Sequence, residues 1–209
     1  RRQSPYEEIA ALLAAHETAF RTTLARLFVG PAFLYHIEKP SPGKVQSPVA
    51  DIELASRLSY FLWNSAPDAV LREAACSETG FDGTELARQT ERMLDDPKVG
   101  AFTENFTGQW LGLRAIDATL PDQKLYPEYD DVLRAAMIKE PARFFDEVLR
   151  NNLSLTNFVS SDFTFLNARL AKHYGIPGIE GTEMRRVTLP PGSHRGGVLT
   201  MGSVLKVTA

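Results

Sequence analysis

The sequence predicts a mainly α fold, an irregular multi-helix bundle closed by a Gly/Pro-rich segment with room for short β structure. Three observations lead there. Apolar residues recur every three or four positions along most of the chain as far as Tyr174. Residues that start and stop helices stand at the ends of those stripes. After Tyr174 glycine and proline crowd together, from Gly175 and Pro177 to Gly196 and Gly197.

The first stripe, Ile9, Leu12, Leu13, His16, Phe20, Leu24, Leu27 and Phe28, predicts a helix from Pro5 to Phe28. Ser4 is its expected cap, with proline at the first helical position. Gly30-Pro31 closes it, and Phe33, Leu34 and Tyr35 form a short apolar patch. Lys39-Pro40-Ser41-Pro42-Gly43 reads as a loop and a subdomain boundary. A second helix begins near Asp51, with Leu54, Leu58, Phe61 and Leu62 as its buried stripe and Trp63 at its end. Asn64 to Asp68 then caps a short third helix holding Val70 and Leu71. A fourth covers about Thr84–Leu94, and a fifth about Lys98–Leu111 with Val99, Phe102, Phe106 and Trp110 on one face.

Pro127 is expected to open the longest helix, running to Arg150. Pro141 lies inside it, removes one backbone bond and clashes with the carbonyl of Met137, which predicts a kink or a break. A further helix is expected over Thr164–Tyr174, capped by Ser161 or Asp162. Beyond it Arg185–Leu189 suits a strand, while Val198–Val207 is apolar and fits strand or helix.

With 209 residues and a 44% hydrophobic share, the chain can bury a core without staples. A net charge of -3 gives no broad basic field, so nucleic acid is not an expected partner. No apolar run approaches the ~18 residues of a membrane span. Both ends, at Arg1 and Ala209, read as cuts from a longer chain. The single cysteine, Cys76, offers neither a disulfide nor a Cys-x-x-Cys pair, and is expected as a semi-buried thiol in a short helix.

Chemistry-bearing groups are sparse. Covalent c-type haem requires Cys-x-x-Cys-His, which is absent. The histidines, His16, His36, His173 and His194, form no local ligand pair, so no metal site is expected. His16 falls on an apolar stripe and reads as a core histidine. Glu140 shares a face with Leu133, Met137 and Phe144, where a carboxylate needs a partner. Arg57 and His16 are the partners the sequence offers, and an ion pair that positions helices is the simpler reading. Glu140, Asp162 and His173 are the candidate catalytic groups if two of them converge in an open cleft. The turn His194-Arg195-Gly196-Gly197 combines positive side chains with glycines that let N–H groups converge, which suits an anion, or simply a linker. Trp63, Trp110, Tyr60, Phe61 and Phe106 are expected in the core rather than around a pocket.

Several strings together resemble a known family. They are Glu53-Leu54-Ala55-Ser56-Arg57-Leu58-Ser59-Tyr60-Phe61-Leu62-Trp63, Pro67-Asp68, Arg92-Met93-Leu94-Asp95-Asp96-Pro97 and Gln109-Trp110-Leu111-Gly112-Leu113, then Ser161 to Asn167, His173-Tyr174-Gly175 and Arg195 to Thr200. They are similar to planctomycete-type cytochrome-associated proteins containing the domain of unknown function 1592. Residues 1–43 resemble that family's domain 1595, 44–175 its domain 1592, and 176–209 the start of its domain 1588. Pro141 departs from the pattern, which usually continues a helix there. The resemblance implies a larger bacterial polypeptide, periplasmic or secreted, with haem c on a neighbouring cytochrome domain and none bound covalently by this chain. That cytochrome domain, in the same polypeptide or complex, is the expected partner, with other subunits beside it. The role implied is a helical accessory domain supporting electron transfer or an oxidative reaction. Its rivals are an oxidoreductase or carbohydrate-active domain, and a structural subunit of an extracellular assembly, for which an exposed apolar patch around Val198–Val207 is expected.

Overall fold

The computed structural model describes residues 5–35 and 49–208, the side chains of 5–8, 10, 11 and 32 excepted. The chain divides into two compact units, Arg1–Val49 and Ala50–Ala209. Ser4, His36 and the loop Lys39–Gly43 lie outside the described residues.

In the first unit, α1 spans Pro5–Phe28 and α2 spans Pro31–Leu34. Phe28 and Phe33 meet edge to face, centroids 5.0 Å apart, where the chain turns at Gly30. Leu12, Leu13, Phe20 and Leu27 of the predicted stripe are exposed. His16 is exposed too, so the core histidine expected there is not formed.

The second unit is mainly α with one short two-stranded sheet. It contains α3 (Asp51–Trp63), α4 (Ala69–Ala75), α5 (Gly83–Asp95), α6 (Gly100–Trp110), α7 (Asp131–Arg150), β1 (Phe163–Leu166), α8 (Ala168–Tyr174), β2 (Arg185–Thr188) and α9 (Gly202–Thr208). No helix among the described residues is long and apolar enough to cross a membrane.

The N-terminal helices of this unit pack around Trp63, Leu71 and Met93, all buried. Trp63 sits in the core because its indole N–H finds the carbonyl of Met93 at 3.0 Å, and the cations of Arg92 and Lys98 cover its ring. Asp68 caps α4 by accepting from the Leu71 amide at 2.9 Å, and it grips the Arg92 guanidinium on α5 with both oxygens. Those donors hold its carboxyl below the usual carboxylate range, against the opposing pull of desolvation, the largest single influence. Asp68→Ala removes a cap and a cross-helix tie together. It is expected to lower stability by about 1–2 kcal/mol at neutral pH, read from the urea midpoint. A group with a depressed pKa stabilises above its unfolded pKa and stops doing so as pH falls through the folded one. The gap between wild type and variant should therefore narrow as the pH is taken below the ordinary aspartate range.

Two stripes are rotated from expectation. On α3 the buried residues are Ala55, Ser59, Leu62 and Trp63, while Phe61 is exposed. On α6 Thr103 and Thr107 are buried, Phe102 is half-buried, and Phe106 and Trp110 are exposed. Small residues let helix backbones approach closely, and the threonines satisfy their own hydroxyls. Thr107 donates to the carbonyl of Thr103 and Thr103 to that of Gly100. Of the aromatics expected in the core, only Trp63 is fully there.

Five further expectations are corrected. The long helix starts at Asp131, because Asp130 accepts from the Leu133 amide at 2.7 Å and ends the preceding turn. Of the kink or break expected at Pro141 the break is absent, since α7 runs through that buried residue as one helix. Residues 163–166 form β1 rather than a helix, pairing antiparallel with β2 in the register Phe163↔Thr188 to Leu166↔Arg185. Asn167, not Ser161 or Asp162, caps α8 through the Leu170 amide. Cys76 is exposed at the C-terminal end of α4 instead of semi-buried.

The C-terminal segment packs into the second unit. Val198, Met201 and Val204 join Phe144, Val148 and Phe163 in one core cluster. The exposed patch expected at Val198–Val207 is thus largely buried, with Leu199 and Leu205 left outside.

Candidate functional site

The site is built outward from α7. Its inward stripe, Leu133, Ala136, Met137, Glu140, Phe144 and Val148, places a carboxylate among apolar neighbours. Glu140 is 1% exposed. Its hydrogen bonds come from neither Arg57 nor His16. Oε1 accepts from the Thr164 hydroxyl of β1 at 2.7 Å, and Oε2 accepts from the Tyr174 hydroxyl of α8 at 2.5 Å. The expected ion pair is replaced by two hydroxyl donors, with Arg195 acting through its charge.

Tyr174 carries the arrangement one step further. Its oxygen accepts from the Gly202 amide at 2.7 Å, so a chain of hydrogen bonds links α9 to α8 and α8 to α7. Glycine at 202 allows this close approach, since a Cβ there would lie 2.6 Å from Cε of Met137, which would have to shift, and 3.1 Å from the Tyr174 oxygen. Burial dominates the ionisation of Glu140. It lifts the carboxyl to about 7, against the opposing help of Tyr174, Thr164 and Arg195. Burial first, then the adjacent Glu140 charge, pushes the Tyr174 phenol upward.

The outer edge of Tyr174 faces a cleft of about 440 Å³, within the size range of small-molecule sites. Its apolar lining is Leu120, Pro121, Tyr126, Met137 and Leu205. Its charged and titratable lining is Glu128, His173, Arg195 and Lys206. Lys206 ties α9 to the connection after α6 by donating to the carbonyls of Ile116 and Thr119, the latter at 2.8 Å. Arg134 on α7 pairs with Asp117 of the same connection. These ties hold residues 119–126 beside the cleft.

Arg195 covers Tyr174, its guanidinium carbon 3.6 Å from the ring centroid, and Nη1 donates to the carbonyl of Thr200 at 2.9 Å. The glycines that follow serve close packing. A Cβ on Gly196 would lie 2.5 Å from the carbonyl oxygen of Ser161, and one on Gly197 2.6 Å from that of Phe158. The Gly196 amide donates to the Thr200 hydroxyl. His194 is exposed and does not line the cleft. Of the turn picked out for anion binding, the cleft therefore receives Arg195.

Of the three carboxylate and histidine candidates, two meet at this place from different sides. His173 lines the cleft, with Nδ1 3.9 Å from Glu128. Burial lowers its pKa, Glu128 opposes that, and Arg195 and Arg169 reinforce it, so the ring is neutral at neutral pH. Glu140 stands behind Tyr174, sealed from the cleft. Asp162 is exposed at the start of β1 and lines neither. Among the described residues no three of His, Cys, Asp and Glu gather as a metal site requires.

Sequence reasoning did not nominate Tyr174, Thr164 or Lys206. A buried acid announces that it needs donors, but which hydroxyls arrive depends on β1 and α8 folding back over α7. Polar positions inside the apolar strings 163–166 and 170–174 were the available signal.

No curated protein and no solved structure matches the chain at a significant level. The family model PSD4, described as a protein of unknown function (DUF1592), matches residues 49–176. That span holds Glu140, Thr164, His173 and Tyr174, while Arg195, Gly202 and Lys206 come from the segment after it. With well over half of its length matched, the chain belongs to the DUF1592 family.

Proposed function

We propose that this chain is a helical accessory domain of an exported bacterial protein associated with a c-type cytochrome, supporting electron transfer or an oxidative reaction. Membership of the DUF1592 family supports the reading through the sequence resemblance to cytochrome-associated proteins. The structural observation behind it is an aromatic face across α3 and α6. Phe61, Phe106 and Trp110 are exposed, and Phe61–Phe102, Phe102–Phe106 and Phe106–Trp110 stand 5.0, 5.4 and 5.7 Å apart. Leu155 and Val159 are exposed beside Phe158, which meets Trp110 edge-on at 5.4 Å. Contiguous apolar surface of this kind marks an interaction site. The apolar edge of a haem suits it, and electron-transfer contacts are characteristically small.

This chain has no residues for covalent haem attachment, so the haem belongs to the neighbouring domain and the helices supply the docking face. Mixing the chain with the cytochrome segment of the same polypeptide is expected to quench tryptophan fluorescence as haem approaches Trp110. Phe61→Asp should weaken the association about tenfold or more by burying a charge at the contact. Equal binding by the variant, or a structure of the whole polypeptide with haem remote from this face, would sink the proposal.

The cleft beside Tyr174 favours a second reading, a small-molecule site serving the same oxidative system.

A further inference from the structure

We propose that the cleft between α7, α8, α9 and residues 119–126 binds a small organic carboxylate with a planar apolar body, Arg195 taking the carboxylate. This rests on the second reading and is independent of where haem sits.

Charge comes first. Two cations, Arg195 and Lys206, stand against one carboxylate, Glu128, and His173 adds no charge when neutral, so the cleft favours an anion. The two cations have different duties. The Lys206 ammonium is spent on the carbonyls of Ile116 and Thr119 and acts as a fixed charge. Arg195 has its guanidinium over the Tyr174 ring and Nη1 on the Thr200 carbonyl. Its charge also acts on Glu140, which is sealed behind Tyr174, and one N–H of Nη1 is bonded to Thr200, which leaves the rest of the fork for a ligand in the cleft. A planar fork of this kind recognises a carboxylate through two parallel hydrogen bonds, and little conformational freedom remains to be lost on binding.

Shape comes second. Beside the cations the lining also includes Leu120, Pro121, Tyr126, Met137 and Leu205. Such surface adds nothing for a bare inorganic anion, whereas a flat ring or short chain gains by leaving water. Methionine adapts to the outline of a ring and packs well against it.

The test is a titration of the 209-residue chain with benzoate, followed by ¹⁵N NMR at the Gly202 amide and the His173 ring, alongside benzamide and inorganic phosphate. Benzoate is expected to give saturable shifts at both, with benzamide about tenfold weaker for want of the charge. Phosphate should be no better than benzamide. Arg195→Gln should weaken benzoate about tenfold or more, and Glu128→Gln should tighten it about twofold by removing a like charge. If Arg195→Gln fails to fold, Leu205→Trp, which adds bulk to the apolar lining and leaves Arg195 in place, should abolish the shifts. Phosphate matching benzoate at the same signals would reduce the cleft to a patch of charge and overturn the inference. Absence of saturable shifts, or benzoate binding unchanged in Arg195→Gln and in Leu205→Trp, would overturn it equally. None of these readouts involves haem, so failure here leaves the cytochrome reading standing, and failure there leaves this one.

Discussion

Glu140→Ala is expected to destabilise the second unit by about 3–5 kcal/mol near pH 5, measured by urea unfolding. The substitution leaves the Thr164 and Tyr174 hydroxyls without their acceptor in a closed space and opens a cavity beside Phe144 and Met137. Glu140→Gln keeps the volume and one acceptor, so its cost is smaller, and it removes the proton equilibrium altogether. The native carboxyl titrates at about 7 instead of near 4.5. Between those values the folded chain keeps a proton that the unfolded chain has released. Stability is therefore highest below about pH 4.5 as far as this group is concerned, and it declines as pH rises to about 7, by roughly 3 kcal/mol in total. Above that no further loss comes from Glu140. The protonated acid fits the site because the Thr164 hydroxyl can turn from donor to acceptor, while Tyr174 remains fixed by the Gly202 amide. Unfolding free energies from urea at about pH 5 and about pH 8 should differ by roughly 2.5 kcal/mol more in the wild type than in Glu140→Gln. A parallel pair of profiles would show that Glu140 stays ionised in the fold.

The position of Glu140 was legible in the sequence, and its partners were not. Residues 133, 137, 140 and 144 lie on one face at any helical register, so a buried acid follows from spacing alone. Thr164 and Tyr174 reach it only because Phe163-Thr164-Phe165-Leu166 becomes a strand, letting its residues alternate about the sheet while Asn167 restarts the chain as a helix. Aromatic and β-branched residues favour that state, but four residues decide it only when Arg185–Thr188 is there to pair with them. The same limit explains α3 and α6. Leu54, Leu58 and Phe61 outweigh Ala55 and Ser59 in any sum of hydrophobicity, yet close helix contact selects the small residues and turns Phe61 outward. Helix starts were legible only where nothing distant moved them: those of α7 and α8 shifted to Asp131 and Ala168, behind Asp130 and Asn167. Asp68 heads its helix as expected, because a cap is a contact over three residues. The cleft was invisible for the opposite reason, since its walls come from five segments between Thr119 and Lys206.

Gly197→Ala is expected to lower stability by about 3–5 kcal/mol, with a fall in Tm on the order of 10 °C. Two costs combine. The residue has φ 76 and ψ 173, a region open essentially to glycine, which costs a residue with a Cβ about 1–3 kcal/mol. The added carbon would also lie 2.6 Å from the Phe158 carbonyl oxygen and 2.7 Å from the backbone of Val159, and backbone has no rotamer through which to withdraw. Gly192 separates these costs. It too has positive φ, 78, but nothing stands within 4 Å of its would-be Cβ. Gly192→Ala should therefore show only the conformational part, about 1 kcal/mol. The larger loss at 197 should carry a local signature, because the turn holds Val198 in the core next to Phe144 and Phe163 and holds Arg195 against Tyr174. Displacement of the turn should shift the Gly202 amide resonance before global unfolding begins. Equal losses at 192 and 197 would mean that the turn yields without disturbing the cluster, and that Arg195 keeps its place by its own hydrogen bond to Thr200.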